Sequence, residues 1–173
     1  MEFETKTISR QIGDLLYGSN YTVGTAESCT GGRIGEALIA IPGASNYFKG
    51  GIISYTNEVK ENLLQVSHET LEAQTAVCED VARQMALGAI KALNVDFAVS
   101  VTGVAGPGGG TPDIPVGTIW IACGTKDNIR TLKLENDFGR DINLAIATNK
   151  ALRLLLQVVT ERLNEDEENE KNP

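Results

Sequence analysis

The stretch TAESCTGGR places the hydroxyl of Ser28, the thiol of Cys29 and a glycine pair without side chains at one turn. Ser28 and Cys29 stand where the strand-like pattern YTVGTAE gives way to the helical pattern GRIGEALIA. A side chain at such a turn lies beside unpaired backbone N–H groups, which can stabilise an oxyanion. We therefore treat Ser28 as a candidate nucleophile. The structural alternative is that Ser28, Cys29 or Thr30 caps the helix while Gly31 and Gly32 ease the turn.

A serine nucleophile needs a base, and the chain has one histidine, His68, which we interpret as a solvated loop residue in QVSHET. Lys60 is the candidate base. If Asn57 caps the helix TNEVKENLL, Lys60 falls at its third position, where the helix dipole disfavours an ammonium by about 0.3–1 kcal/mol. Burial would lower the pKa of the lysine further. The alternative is a surface lysine paired with Glu58 or Glu61.

A glycine-rich loop, TGVAGPGGG, follows the apolar run DFAVSVTG. Its residues Thr102, Gly103, Ala105 and Gly106 are candidate substrate contacts, because bare backbone allows close approach. The loop is neither a P-loop nor a dinucleotide-binding fingerprint, and its simpler interpretation is a flexible connection.

Two further side chains could support such a site. Tyr55 directly precedes the turn that carries Lys60 and could orient the lysine, relay a proton or simply end a strand. Arg140, in FGRD at a helix start, could bind a phosphate through its two-pronged guanidinium or lie on the surface.

The elements that position these residues alternate along the chain. Apolar strand patterns occupy 21–27, 50–55, 96–103, 116–124 and 130–136, and helical patterns occupy 3–17, 32–40, 56–64, 78–94 and 141–163. This alternation predicts one α/β domain, a three-layer α/β/α sandwich with a mixed sheet covered on both faces. Ligands collect beyond the carboxyl ends of parallel strands. We therefore expect the turns ESCTGG, YTNEVK and TGVAGPGGG to meet at one edge.

Composition narrows the possible functions. The chain has 173 residues and a net charge of −8, with no basic stripe, which disfavours a nucleic-acid partner. The first residues, MEFETKTISR, lack a secretory signal, and no apolar run reaches the ~20 residues of a membrane span, so we expect a cytoplasmic protein with no membrane partner. We place the domain at residues 1–163 and expect an acidic, disordered tail at 164–173.

The three cysteines, Cys29, Cys78 and Cys123, are widely spaced. This spacing predicts neither a disulfide framework nor a metal site.

Five motifs in this order and spacing, AESCTGG, PGAS..F..G, YTNEVK, VSVTGVAGP and PVGTIW, give a specific family resemblance. Over about residues 5–160 the chain resembles the CinA C-terminal domain family, the bacterial nicotinamide-nucleotide amidases. The resemblance implies a stand-alone three-layer α/β domain, a homo-oligomer, that hydrolyses nicotinamide mononucleotide to nicotinate mononucleotide and ammonia without a cofactor.

The same resemblance implies roles for single residues. It makes Ser28 the nucleophile, Lys60 its base, Tyr55 and Thr102 supporting polar residues, and Arg140 a substrate-side arginine. Together with the turn and loop arguments it predicts these substrate contacts: Cys29, Thr30, Gly31, Gly32, Asn57, Gly103, Ala105, Gly106 and Arg140.

The chain also departs from the family pattern. Leu144 stands where the family often has a second arginine, Cys78 replaces a frequent serine at a helix start, and the glycine loop ends in GGGTPDIP. Two alternatives therefore stay open. Cys29 could be the nucleophile, since thiolates are the stronger nucleophiles. The protein could also be a non-catalytic nucleotide-binding module.

Overall fold

Five strands form one mixed sheet in the computed structural model, which describes residues 3–171. Their bounds are β1 Val23–Glu27, β2 Phe48–Ile53, β3 Phe97–Gly103, β4 Ile119–Gly124 and β5 Ile129–Leu134. The order across the sheet is β2-β1-β3-β4-β5. The first three strands pair in parallel, whereas β4 is antiparallel to both β3 and β5. The predicted mixed sheet is confirmed.

Helices cover both faces of this sheet. One layer contains α1 (Phe3–Leu16), α2 (Arg33–Ile39) and α6 (Arg140–Lys171), and the other contains α3 (Asn57–Leu64), α4 (His68–Gln74) and α5 (Glu79–Leu93). All five residues of β1 are buried, as are the first six of β3. Strands enclosed on both faces read as nearly continuous apolar runs, which explains why their pattern was visible in the sequence.

The last helix is the longest element. By length and composition alone α6 could cross a membrane, but half of its most apolar 18-residue window is buried inside the domain. Leu152, Leu155 and Val159 are fully buried in the core that α6 shares with α1 and the sheet. The apolar face of α6 therefore forms part of the core.

Three local predictions are wrong. His68 does not lie in a loop but is the first residue of α4, because Ser67 caps an additional helix. The His68 side chain is exposed, and its Nδ1 lies 3.0 Å from Glu61 Oε1. Thr56 caps α3 in place of Asn57, since its hydroxyl accepts the N–H of Val59.

The third correction concerns the acidic tail. Residues 164–171 continue α6 instead of forming a disordered segment, and ion pairs one turn apart, such as Arg162 with Asp166, stabilise this extension. Residues 172 and 173 of the predicted tail lie outside the described residues.

Candidate active site

Strand register brings three polar residues to one level at the carboxyl edge of the sheet. Glu27, the last residue of β1, is paired with Ile53 on one side and Val101 on the other. The residues that follow these three are Ser28, Ser54 and Thr102. β2 and β3 pair with opposite sides of β1, so the chain connections run in opposite directions from β1. This edge is therefore a topological switch point, where ligands bind in open α/β sheets. The predicted convergence of the three turns is confirmed.

Lys60 reaches this edge from the first turn of α3. Its Nζ lies 3.0 Å from Ser28 Oγ and donates a 2.8 Å hydrogen bond to the carbonyl oxygen of Ser54. Two fixed partners therefore hold the amine beside the serine hydroxyl.

Burial determines the electrostatics of this lysine. Lys60 is only 1% exposed and forms no ion pair within residues 3–171, which excludes the surface pairing with Glu58 or Glu61. Desolvation lowers the pKa of Lys60, and the influence of the neighbouring Cys29 opposes this shift. The sequence held a signal for this burial, because Lys60 precedes the core residue Leu64 by one helical turn.

Burial shifts the pKa of Cys29 in the direction opposite to that of Lys60. Burial raises the pKa of its thiol to about 11, although the N–H groups of Cys29 and Thr30 and the lysine amine act in the lowering direction. Near neutral pH the residue is therefore a thiol, whereas the nucleophilic form is the thiolate.

A cavity of about 270 Å³ opens beside the Ser28–Lys60 pair. It is lined by ten of the predicted site residues: Ser28, Cys29, Tyr55, Asn57, Lys60, Thr102, Gly103, Ala105, Gly106 and Arg140. Thr30, Gly31 and Gly32 do not line it. No aspartate or glutamate is among the lining residues, although the chain carries a net charge of −8. The cavity therefore favours an anionic ligand.

Two other polar residues, Thr102 and Tyr55, line the cavity and were expected to support the reactive pair. Thr102 donates its hydroxyl to the carbonyl oxygen of Ala76 at 2.7 Å, so its proton is already engaged with another residue of the cavity lining. Tyr55 lies beyond the end of β2 and is 65% exposed at the cavity mouth. The carbonyl of Ser54 accepts a hydrogen bond from the lysine and so orients it, which is one of the three roles considered for Tyr55.

Arg140 also lines the cavity. The first residue of α6, it donates through Nη1 to the carbonyl oxygen of Gly106 at 2.7 Å. Asn143, one turn later, is buried and donates to the carbonyl of Ala105 at 3.1 Å and to Asp137 at 2.8 Å. These contacts join the glycine loop to the start of α6. Sequence reasoning missed Asn143, because its role is evident only from the long-range contact.

Leu144 follows Asn143 and is 4% exposed. Its side chain belongs to the core, so this departure from the family pattern supplies an apolar contact. Cys78, another departure, caps α5 by accepting the N–H of Val81 through its sulfur at 3.4 Å. The cysteine therefore has a structural role at this helix start.

The nucleophile turn, residues 28–32 with the candidate nucleophile Ser28, is connected to α2 by a residue that the sequence analysis overlooked. Glu27 is buried, and its carboxylate accepts the N–H groups of Gly32, Ile34 and Gly35 at 3.0, 3.1 and 2.9 Å. Gly32 is the N-cap residue of α2 and has no side-chain cap of its own. The alternative that Ser28, Cys29 or Thr30 caps α2 is therefore wrong.

Two of the other four N–H groups of this turn are also engaged in hydrogen bonds. Ser28 donates to the carbonyl of Val101, and Gly31 donates to the carbonyl of Ser28. Among residues 28–32, the N–H groups of Cys29 and Thr30 have no oxygen acceptor within the described part of the chain. Both N–H groups lie near the Cys29 sulfur, whose pKa they lower, and of the two residues Cys29 lines the cavity.

The described residues, 3–171, contain no group of three or more His, Cys, Asp or Glu side chains placed to hold a metal ion. Cys29, Cys78 and Cys123 are all free thiols.

A family model and curated relatives match most of the chain. Residues 5–159 match the model of the CinA C-terminal domain family. A CinA-like protein of Leptospira borgpetersenii is 48% identical over 123 residues, 71% of this chain and 29% of its own length. One of Crocosphaera subtropica is 45% identical over 148 residues, 84% of this chain and 36% of its own length. The chain thus spans about a third of the length of the curated relatives it matches.

Solved structures extend the match over the whole domain. A competence/damage inducible protein of Agrobacterium tumefaciens superposes with a TM-score of 0.89 at 36% identity, covering 91% of this chain and 97% of that one. A CinA superfamily protein of Klebsiella pneumoniae gives 0.86 at 30% identity, covering 91% and 98%. The three-layer α/β fold is confirmed.

Proposed function

Because the chain belongs to the CinA C-terminal domain family, we propose that it is a cofactor-free amidohydrolase that converts nicotinamide mononucleotide to nicotinate mononucleotide and ammonia. One observation carries the proposal: the Nζ of a buried lysine lies 3.0 Å from the hydroxyl oxygen of Ser28, at the wall of a cavity. An amine whose pKa is lowered and that contacts a serine hydroxyl fits the requirement for a general base.

The neutral amine of Lys60 starts the reaction. It keeps one N–H on the Ser54 carbonyl and turns its lone pair toward the hydroxyl of Ser28. The hydroxyl proton passes to Nζ while Oγ bonds to the carboxamide carbon, and the carbonyl electrons move onto oxygen. A preformed hydrogen bond between base and nucleophile makes this transfer a local step.

The oxyanion needs donors that are fixed before the reaction. The N–H groups of Cys29 and Thr30 are the candidate donors, because neither has an oxygen acceptor in the nucleophile turn and Cys29 itself lines the cavity. Loss of one such donor in comparable sites costs about 10²–10³ in turnover.

Collapse of the intermediate expels the nitrogen. The ammonium of Lys60 returns its proton to the leaving amide nitrogen, and ammonia departs, leaving an ester on Ser28. Water then attacks this ester with Lys60 as the base, which releases the carboxylate and regenerates the serine hydroxyl.

Charge in the cavity supports an anionic substrate. Arg140 lines the same cavity as the reactive pair, and no aspartate or glutamate is among the lining residues. Its guanidinium could accommodate a phosphate while the carboxamide lies at Ser28.

The deciding experiment is to incubate the purified protein with nicotinamide mononucleotide and assay ammonia enzymatically. We expect ammonia release that depends on protein concentration and is absent in Ser28→Ala. Binding of the nucleotide without ammonia release would overturn the proposal and favour the non-catalytic binding module.

A further inference from the structure

Glu27 is a buried carboxylate directly before the candidate nucleophile. It is 1% exposed, and no lysine or arginine forms an ion pair with it among residues 3–171. A buried charge is unfavourable unless hydrogen bonds compensate it. Here the compensation is the three N–H groups at the start of α2, two on Oε2 and one on Oε1. The negative charge is thereby balanced by the positive end of the helix.

This arrangement differs from the other caps of the domain. Thr56, Ser67 and Cys78 each cap the helix that they directly precede, by accepting one N–H. The carboxylate of Glu27 instead comes from the end of a strand and reaches N–H groups five, seven and eight residues ahead. It therefore connects the strand end to the helix start across the whole nucleophile turn.

The backbone between these two anchors is constrained at both ends. Ser28 donates its N–H to Val101 on the neighbouring strand, which fixes the strand side of the turn. Gly31 and Gly32 have φ values of 59° and 101°, a left-handed conformation that few side chains tolerate. The Glu27 contacts hold the helix side of the turn in this conformation.

We propose that Glu27 is a positioning residue whose carboxylate holds the nucleophile turn in the geometry that brings Ser28 Oγ within hydrogen-bond distance of Lys60 Nζ. It acts through the turn and touches no reacting atom. The catalytic consequence rests on the proposed function, whereas the geometric claim does not.

Glu27→Gln tests the proposal with little change in volume. The glutamine oxygen can retain the Gly32 and Ile34 contacts, but its amide nitrogen then faces the Gly35 N–H, donor against donor. Crystal structures of the wild type and the variant give the Ser28 Oγ–Lys60 Nζ distance, and steady-state ammonia release gives kcat and KM.

We expect the distance to increase beyond hydrogen-bond range and kcat to fall about 10- to 100-fold, since a misplacement of ~1 Å can cost 10²-fold. KM should change less than about threefold, because a loss confined to the chemical step leaves substrate binding intact. An unchanged distance together with an unchanged kcat would overturn the proposal.

Ser67→Ala is the matched control, because it removes a helix cap outside the cavity lining. It should lower the melting temperature by a few degrees while kcat stays at the wild-type level. A kcat loss in Ser67→Ala equal to that in Glu27→Gln would show that general destabilisation explains both, and would refute positioning.

Two outcomes separate this inference from the proposed function. If the wild type releases no ammonia, the proposed function fails, and the crystallographic distance in Glu27→Gln still decides the positioning role. If Glu27→Gln does not fold, Glu27→Asp keeps the charge but withdraws the carboxylate by one methylene, and the same two readouts apply with the same expectations.

Discussion

Lys60 Nζ and Ser28 Oγ lie 3.0 Å apart although 32 residues separate them in the chain. The serine is held by the end of β1 and the lysine by the first turn of α3, so rigid elements fix both partners. Such elements maintain catalytic geometry better than mobile loops.

Removal of either member of the pair should abolish most activity. We expect Ser28→Ala and Lys60→Met each to reduce single-turnover ammonia release at least 10²- to 10³-fold, and the double variant to lose no more than the worse single variant. Lys126→Met, which removes an exposed lysine, is the control and should retain full activity. Losses that multiply in the double variant would show that the two groups act independently.

The pH dependence of the reaction should report the buried amine. The base works only when neutral, so kcat/KM should rise with pH through the pKa of Lys60 in the free enzyme. Because burial lowers that pKa, we expect the midpoint below the ordinary lysine value of about 10.4. Lys60→Arg stays protonated and should give a low profile without this rise. A midpoint at the ordinary lysine value would contradict burial as the activating factor.

The free energy of unfolding should also depend on the protonation of Lys60. Since the folded pKa of Lys60 is lowered, the unfolded chain binds more protons between the folded and unfolded pKa values, and stability rises with pH across that window. Relative to Lys60→Met, the wild type should therefore gain stability as pH increases toward 10, by at most ~1.4 kcal/mol per pH unit. Urea unfolding of both proteins at several pH values measures this difference. A difference independent of pH would mean that the two states bind the proton equally.

Cys29 should be dispensable for the chemistry. Burial raises the pKa of its thiol to about 11, so the thiolate population near neutral pH is very small. We expect Cys29→Ser to keep ammonia release within a few-fold of wild type and Cys29 to react slowly with iodoacetamide at pH 7.5. Activity lost in Cys29→Ser but kept in Ser28→Ala would establish the thiol as the nucleophile.

Arg140 should affect binding more than turnover. Its guanidinium already donates to the Gly106 carbonyl at the cavity, and we expect it to bind the substrate phosphate. Arg140→Ala should then raise KM for nicotinamide mononucleotide at least tenfold with a smaller change in kcat. Nicotinamide riboside, which lacks the phosphate, should show no such increase in the variant. Arg153→Ala, which removes an exposed arginine paired with Glu4, is the control.

Parts of this architecture were readable from local patterns. The buried strands β1 and β3 are continuous apolar runs, and α5 repeats apolar residues at helical spacing, so the layer arrangement was predictable. The motif order also determined the family. The capping residue of α3 was predicted wrongly. Thr56 and Asn57 are adjacent and can both cap a helix, and Asn57 was predicted where the structure has Thr56.

The tertiary structure decided what the candidate residues do. Seryl, threonyl and lysyl side chains occur at caps, on surfaces and in active sites alike, and their sequence neighbours do not distinguish these roles. Only the parallel register of β1 with β2 and β3 places Ser28 beside Ser54, and only burial of α3 against α5 removes the amine of Lys60 from water. The same packing engages the hydroxyl of Thr102 in a hydrogen bond to the carbonyl of Ala76.

The amino-acid sequence by itself determined the layers of the fold and the set of candidate site residues, because the local spacing of apolar residues reflects which face of each element is buried. The pairing of base with nucleophile required long-range contacts, because desolvation and hydrogen bonding depend on neighbours distant in the chain.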